Sequence, residues 1–374
     1  MEFKFKILQI VQFASLLLVN RINTSKLYSF IIALLIAPSI AMNFISEKSM
    51  YLIFISQISD ILSFSMICTF FALYTYIKIK NKKASQPISK YIKKHKHKRN
   101  IPTLGGVIFI GIFLLYSFSS LGGSDGKFLN IQHYMIICIT VLFGLIGFYD
   151  DIIKLYYKNN HGISARYKFL LQFVTSIVIL LVFKSYLNLN TNLNIKHFDY
   201  LNFNYLTIIW WSFVVVSSAN AVNLTDGLDG LAGSCSLVSL LFLITFQIYH
   251  FGFSANVALL SIMFATLLSF MQFNKYPAKI FMGDTGSMAL GAFLAINHLV
   301  ISCEWLFILT GCIFVLETLS VIIQIFSIKV FKRKVFIIAP IHHHFEHYFH
   351  EKNVTKIFYY FMLIVNLGVL FIYI

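Results

Sequence analysis

The chain has 374 residues, 58% of them hydrophobic and only 12% charged, with a mean hydropathy of +0.78. A soluble domain is nearer half apolar and a quarter charged, so a water-facing globule, a disordered tail, a collagen-like chain and a disulfide-rich secreted module are excluded. The 30 Lys and Arg against 14 Asp and Glu give a formal charge of +16. Because the bases sit between apolar runs, the excess points to cytoplasmic loops and anionic lipid, and no nucleic-acid partner is expected.

Long apolar runs recur from end to end and predict an all-α polytopic integral membrane protein. In chain order, about eleven stretches approach spanning length: residues 28–46, 53–77, 104–121, 131–149, 169–187, 205–219, 231–252, 255–273, 286–302, 305–328 and 355–374. A shorter run at 7–19 suits the interface or an uncleaved signal-like segment. The loop from Lys78 to Arg99 holds ten Lys and Arg and no acid, which places it in the cytoplasm. Counting spans from there puts 150–168, 220–230, 274–285 and 329–356 on the same side. The opposite connections, 122–130, 188–204, 253–254 and 303–304, are short or nearly charge-free. Trp210, Trp211 and Trp305 fall at the outer interface, where an aromatic belt belongs. The five cysteines lack metal or disulfide spacing and read as small core residues.

The informative feature is where the scarce acids lie. Five aspartates occupy three short segments on the predicted cytoplasmic face: Asp150 and Asp151, Asp226 and Asp229, and Asp284. Carboxylates near hydrocarbon need a partner or a wet cavity. The adjacent pair Asp150-Asp151 needs a compensating cation, which a divalent metal or Lys154, one helical turn on, can supply. Asp226 and Asp229 are three apart, so a helical turn places them on one face. Gly283-Asp284-Thr285-Gly286-Ser287 opens a later span, and a helix N-terminus of small residues suits an anionic group such as phosphate. Three consecutive histidines, His342, His343 and His344, cannot all turn toward one metal from a helix and suit polar contacts to a phosphate or sugar, with Glu346 orienting one ring. Pro102-Thr103-Leu104-Gly105-Gly106, behind basic Lys98-Arg99, precedes another span.

Together these segments resemble the polyprenyl-phosphate N-acetylhexosamine-1-phosphate transferases. The motifs come in that family's order: 102–106, Asp150-Asp151 with Lys154, 162–168, 223–230, 281–287, 317–324 and the histidine triplet. The string Pro340 to Glu346 has the form of the branch acting on muramoyl-pentapeptide. Asn100-Ile101 departs from the Gly-Thr usual before Pro-Thr. The likeness implies ten family helices over residues 53–374, an N-terminal extension over 1–52 with a candidate extra membrane segment, a homodimer, and the bacterial cytoplasmic (inner) membrane.

It also implies the chemistry: undecaprenyl phosphate attacks UDP-N-acetylmuramoyl-pentapeptide, UMP leaves, and Mg²⁺ assists. By motif, Asp284 would be a direct Mg²⁺ ligand, Asp150 would engage the lipid phosphate, and Asp151 would support the metal region. Asn223, Asp226 and Asp229 would line the nucleotide-sugar side. Gly227, Leu228, Asp229 and Phe281 resemble a uridine pocket. Lys98, Thr103, Lys154 and Lys168 would contact phosphates or support the aspartates, and His342, His343 and His344 would lie near the sugar phosphate. Two rival readings stay open at this point. One is the same chemistry on UDP-N-acetylglucosamine. The other is a secondary transporter, which the clustering of acids at one face and the absence of an internal repeat oppose.

Overall fold

The computed structural model describes residues 50–79, 98, 100–121, 130–157, 162–187 and 205–374. The stretches at 7–19 and 28–46 and most of the basic loop lie outside the described residues.

Twelve helices are present among the described residues: α1 (Met50–Ile79), α2 (Gly105–Leu121), α3 (Ile131–Tyr157), α4 (Ala165–Leu187), α5 (Tyr205–Thr225), α6 (Leu231–Phe251), α7 (Ala255–Asn274), α8 (Gly283–Val300), α9 (Leu306–Thr310), α10 (Cys312–Phe331), α11 (Ile341–Tyr348) and α12 (Glu351–Tyr373). Eight of them are long and apolar enough to cross a membrane. The chain is therefore a multi-pass membrane protein, as its composition predicts. Intrahelical hydrogen bonding is what lets such segments cross a medium that offers the backbone no partners.

One expected span, 104–121, is the 17-residue helix α2, shorter than the eight, and two others differ in form. Residues 286–302 belong to α8, which misses the apolarity of a lipid-facing span. The reason is its position: every residue of α8 from Gly283 to Leu299 is buried in protein. It packs against α3 and α5, and also against α2 and α6. Small residues make that approach possible. A Cβ at Gly147 would stand 2.2 Å from the Asp284 carbonyl oxygen, and one at Gly106 would stand 2.3 Å from the Gly286 nitrogen. A helix enclosed in this way needs no apolar exterior and is free to carry polar side chains.

The other exception is 305–328, expected as one span. It is broken at Gly311 into α9 and α10. The break diverts the Thr310 carbonyl sideways, where Ser239 Oγ donates to it at 2.6 Å and Asn366 Nδ2 at 3.2 Å. Partners from α6 and α12 thus replace the helical bond, which is the condition for a break inside hydrocarbon. Near the other end of α5 from the Asp226 turn, Trp210 stacks on Trp305 with ring centroids 5.3 Å apart. This joins two of the expected belt residues.

Candidate active site

The C-terminal ends of α3 and α5 and the N-terminal end of α8 meet at one end of the bundle, and they carry the aspartates there. Asp150 and Asp151 are adjacent near the end of α3, and both are buried. Adjacent helical residues face different neighbours, and these two have different partners.

Asp150 Oδ2 lies 2.7 Å from Lys154 Nζ, one turn along the same helix, and 3.6 Å from Lys168 Nζ. Its Oδ1 accepts the Ile163 N–H at 2.7 Å. Both lysines also reach Asp284: Lys154 Nζ is 3.0 Å from Oδ1, and Lys168 is bonded to Oδ2. Asn223 Nδ2 donates to the same Oδ2 at 3.2 Å. Two carboxylates and two ammonium groups therefore form a closed, electrically balanced ring drawn from α3, α4 and α8.

Asp151 turns the other way. Its Oδ1 accepts the Asp284 N–H at 3.0 Å, and its Oδ2 accepts the Thr285 N–H at 3.0 Å and the Thr285 hydroxyl at 2.8 Å. The start of α8 thus holds a carboxylate of the protein itself, that of Asp151. Capping of this kind satisfies free helix-end donors and favours negative charge there. Gly283 makes it possible: its φ is +74°, and a Cβ would stand 2.6 Å from Asp151 Oδ2. Asp151 consequently sets the first turn of α8, and with it the position of Asp284.

The 102–106 segment pairs with the residues leading into α8. The Phe281 N–H donates to the Pro102 carbonyl at 2.8 Å, the Gly105 N–H to that of Phe281 at 2.9 Å, and the Gly106 N–H to that of Met282 at 2.9 Å. Thr103 is held by the Tyr76 hydroxyl, which donates to its carbonyl at 2.9 Å. Its own Oγ1 is buried without a hydrogen-bond partner among the described residues.

Residues 226–230 form a turn between α5 and α6. Asp226 and Asp229 therefore do not share a helical face, which corrects the reading from their spacing. Asp229 Oδ1 is 2.6 Å from Lys98 Nζ, and its Oδ2 accepts the Ala278 N–H at 2.9 Å. Glu351, the first residue of α12, pairs with Lys98 and accepts the Asp229 N–H at 2.7 Å. Glu351 was not singled out in the sequence. A lone acid at the start of a helix has a bland explanation, and only its place among so few acids could have marked it.

Asp226 has no hydrogen bond or ion pair to its carboxylate among the described residues. Burial, followed by the negative charges of Asp284, Asp151 and Asp229, pushes this carboxyl well above the usual range, and Lys98 opposes them. Leu228 is buried beneath the turn. Gly227 faces α11, where a Cβ would stand 2.2 Å from His342 Nε2.

The three histidines diverge, as the helix geometry requires. His342 is fully buried, with Nδ1 3.0 Å from Glu317 Oε2 on α10. His343 Nδ1 is 3.1 Å from Glu346 Oε2, so Glu346 does orient one ring. His344 Nδ1 accepts the Ile337 N–H at 3.3 Å and faces the connecting segment. His342 and His343 are thus drawn toward carboxylates while His344 is turned away from them.

Among the described residues, no three Asp, Glu, His or Cys side chains are placed to chelate a metal by themselves. A hard cation such as Mg²⁺ takes oxygen ligands, keeps waters and is held by one or two carboxylates together with substrate phosphates. The donors present are carboxylate oxygens, and the Asp226 carboxyl has no direct partner among the described residues. The ring lysines can hold carboxylates or, equally, phosphate oxygens.

Residues 133–304 match the model of glycosyl transferase family 4. A phospho-N-acetylmuramoyl-pentapeptide-transferase of Helicobacter hepaticus is 38% identical over 320 residues, covering 79% of this chain and 87% of that protein. The enzymes of the same name from Campylobacter jejuni and Campylobacter lari are 39% and 41% identical over 327 and 318 residues, covering 82% and 78% of this chain and 91% and 88% of their own. With its motifs in order and its aspartates gathered at one end of a helical membrane bundle, the chain belongs to the phospho-N-acetylmuramoyl-pentapeptide-transferase family.

Proposed function

We propose that the protein transfers phospho-N-acetylmuramoyl-pentapeptide from its UDP-linked donor to undecaprenyl phosphate, in the bacterial cytoplasmic membrane and with Mg²⁺ as cofactor. An oxygen of the lipid phosphate attacks the sugar-linked phosphorus of the donor. The bond from that phosphorus to the bridging oxygen of UMP breaks, and UMP leaves with the electron pair. The products are UMP and the lipid-linked sugar, lipid I. The family likeness adds a homodimer to this reading.

The observation that carries the proposal is the ring of Asp150, Asp284, Lys154 and Lys168 beside Asp226, whose carboxyl has no partner among the described residues. Phosphoryl transfer between two phosphate-bearing reactants calls for positioning and charge neutralisation and needs no side-chain nucleophile. Lys154 and Lys168 can exchange a carboxylate for a phosphate oxygen without moving far, because each already bridges two anions. Asp226 and Asp284 would hold Mg²⁺. When bound, the ion would neutralise phosphate charge as it develops on the leaving group. Asp150 becomes available to orient the lipid phosphate once its lysines are shared. Asp151 acts through α8 as a positioning residue for Asp284. His342 and His343, held by Glu317 and Glu346, offer ring nitrogens to the sugar phosphate.

The test is release of UMP by purified protein given undecaprenyl phosphate and either UDP-N-acetylmuramoyl-pentapeptide or UDP-N-acetylglucosamine, with Mg²⁺ or with a chelator. Turnover with the first donor alone, lost on chelation, is expected. Preference for the second donor would refute the substrate, and undiminished turnover in chelator would refute the metal.

A further inference from the structure

The segment joining α10 to α11 carries a surface that the proposed reaction does not use. Lys329, Lys332, Arg333 and Lys334 fall within six positions, and no acid lies between Glu317 and Glu346. All four side chains are exposed. None is in an ion pair with a carboxylate among the described residues. Val335, Ile337 and Ile338 follow immediately, and they are 55%, 40% and 39% exposed.

Lys329 lies in the last turn of α10, and from Lys332 on the backbone is not helical, yet several of its polar groups have partners. Gln324 Oε1 on α10 accepts the Val335 and Phe336 N–H groups at 3.0 and 2.9 Å, while its Nε2 donates to the Phe336 carbonyl at 2.9 Å. Ser327 Oγ donates to the Arg333 carbonyl at 2.8 Å. The Ile337 N–H goes to His344. One glutamine thus fixes three backbone groups of the strap.

Irregular backbone is tolerated at membrane depth only when it is satisfied in this way. The strap also leaves a spanning helix on the face that the basic loops make cytoplasmic. Cations that reach outward over apolar side chains suit a surface that is negative at the headgroups and apolar beneath.

We propose that residues 329–338 form a binding strap for anionic phospholipid of the cytoplasmic leaflet. The four cations take headgroup phosphates, and Val335, Ile337 and Ile338 enter the acyl boundary. The contact at His344 links the seated strap to the helix that bears His342 and His343.

The test is native mass spectrometry of the full-length protein in detergent, titrated with phosphatidylglycerol or phosphatidylcholine. This readout does not depend on turnover, so it stands apart from the success or failure of the proposed reaction. Wild type should retain phosphatidylglycerol in preference to phosphatidylcholine, and less of it as salt is raised. A variant with Lys332→Gln, Arg333→Gln and Lys334→Gln should lose about fivefold in affinity for each charge removed. The charge-keeping variant Lys332→Arg, Arg333→Lys, Lys334→Arg should retain binding, which separates lost charge from a damaged fold. Equal retention of phosphatidylglycerol by wild type and the glutamine variant would overturn the proposal. So would displacement of that lipid by a short poly-glutamate peptide at micromolar concentration, since the strap would then be a site for soluble acidic chains.

Discussion

Two charged clusters sit a few residues apart at the same end of the bundle, built from the same residue types to different plans. In the Asp150–Asp284 ring each lysine bridges two carboxylates, so no cation belongs to one anion alone. In the Lys98–Asp229–Glu351 cluster one lysine serves two carboxylates, and both are also tied to backbone N–H groups, of Ala278 and Asp229. In the ring only Asp150 is so tied among the described residues, to Ile163. The second arrangement fixes the 226–230 turn to α12, with its single cation shared by two carboxylates. The first is balanced by shared contacts and can change partners when phosphates arrive. Two lysines for two carboxylates suit the first cluster to the binding role proposed for it, and anchoring of both carboxylates to the backbone makes a brace of the second.

The largest effect should come from breaking the brace. Lys98→Met leaves Asp229 and Glu351 buried without their cation, and removal of one member of a buried pair costs about 3–5 kcal/mol. We expect the melting temperature in detergent to fall sharply, with Lys98→Arg losing much less. A Lys98→Met protein that melts with wild type would erase the distinction between the clusters. Asp284→Asn should act on the reaction instead. Loss of one preorganised electrostatic contact typically lowers turnover by about 10²–10³-fold, and UMP release should fall by that order while the melting temperature falls less than in Lys98→Met.

Asp151→Asn sharpens the comparison inside the ring's own helix. An amide oxygen can replace one carboxylate oxygen, but the amide nitrogen would then face an N–H donor of α8. We expect a loss of about 1–3 kcal/mol in stability, together with slower turnover because Asp284 is no longer held. Normal turnover in a destabilised protein would separate the cap from the site.

Much of this site was legible because acids are scarce in an apolar chain. Asp150, Asp151, Asp226, Asp229 and Asp284 stood out against hydrocarbon, and one-sided loops oriented them. The roles within the cluster were not legible. Nothing in Asp-Asp says which carboxylate caps α8, since that depends on the close approach of Gly147 and Gly283. The 226–229 spacing suggested a helical face because the turn's conformation is set by Lys98 and Glu351, more than a hundred positions away in each direction. The break at Gly311 was hidden for a related reason: hydropathy runs through it unchanged, and only Ser239 and Asn366 make it tolerable.

The smallest effect concerns Asp226, the carboxylate that belongs to neither cluster. Its carboxyl is held well above the usual range by burial and by Asp284, Asp151 and Asp229. A raised carboxyl favours the fold while it is protonated. As pH climbs from the ordinary carboxylate range toward the folded value, the unfolded chain gives up that proton first, so stability is lost at up to about 1.4 kcal/mol per pH unit. In chelator, wild type should therefore lose melting temperature between the ordinary carboxylate range and the raised value, whereas Asp226→Asn should show a flatter profile. On the proposed reading Mg²⁺ binds the charged form, so it should restore wild type most at the alkaline end and the Asn variant least. Parallel profiles for the two proteins, with and without Mg²⁺, would mean that Asp226 has a partner after all and that the ring alone must meet the incoming phosphates.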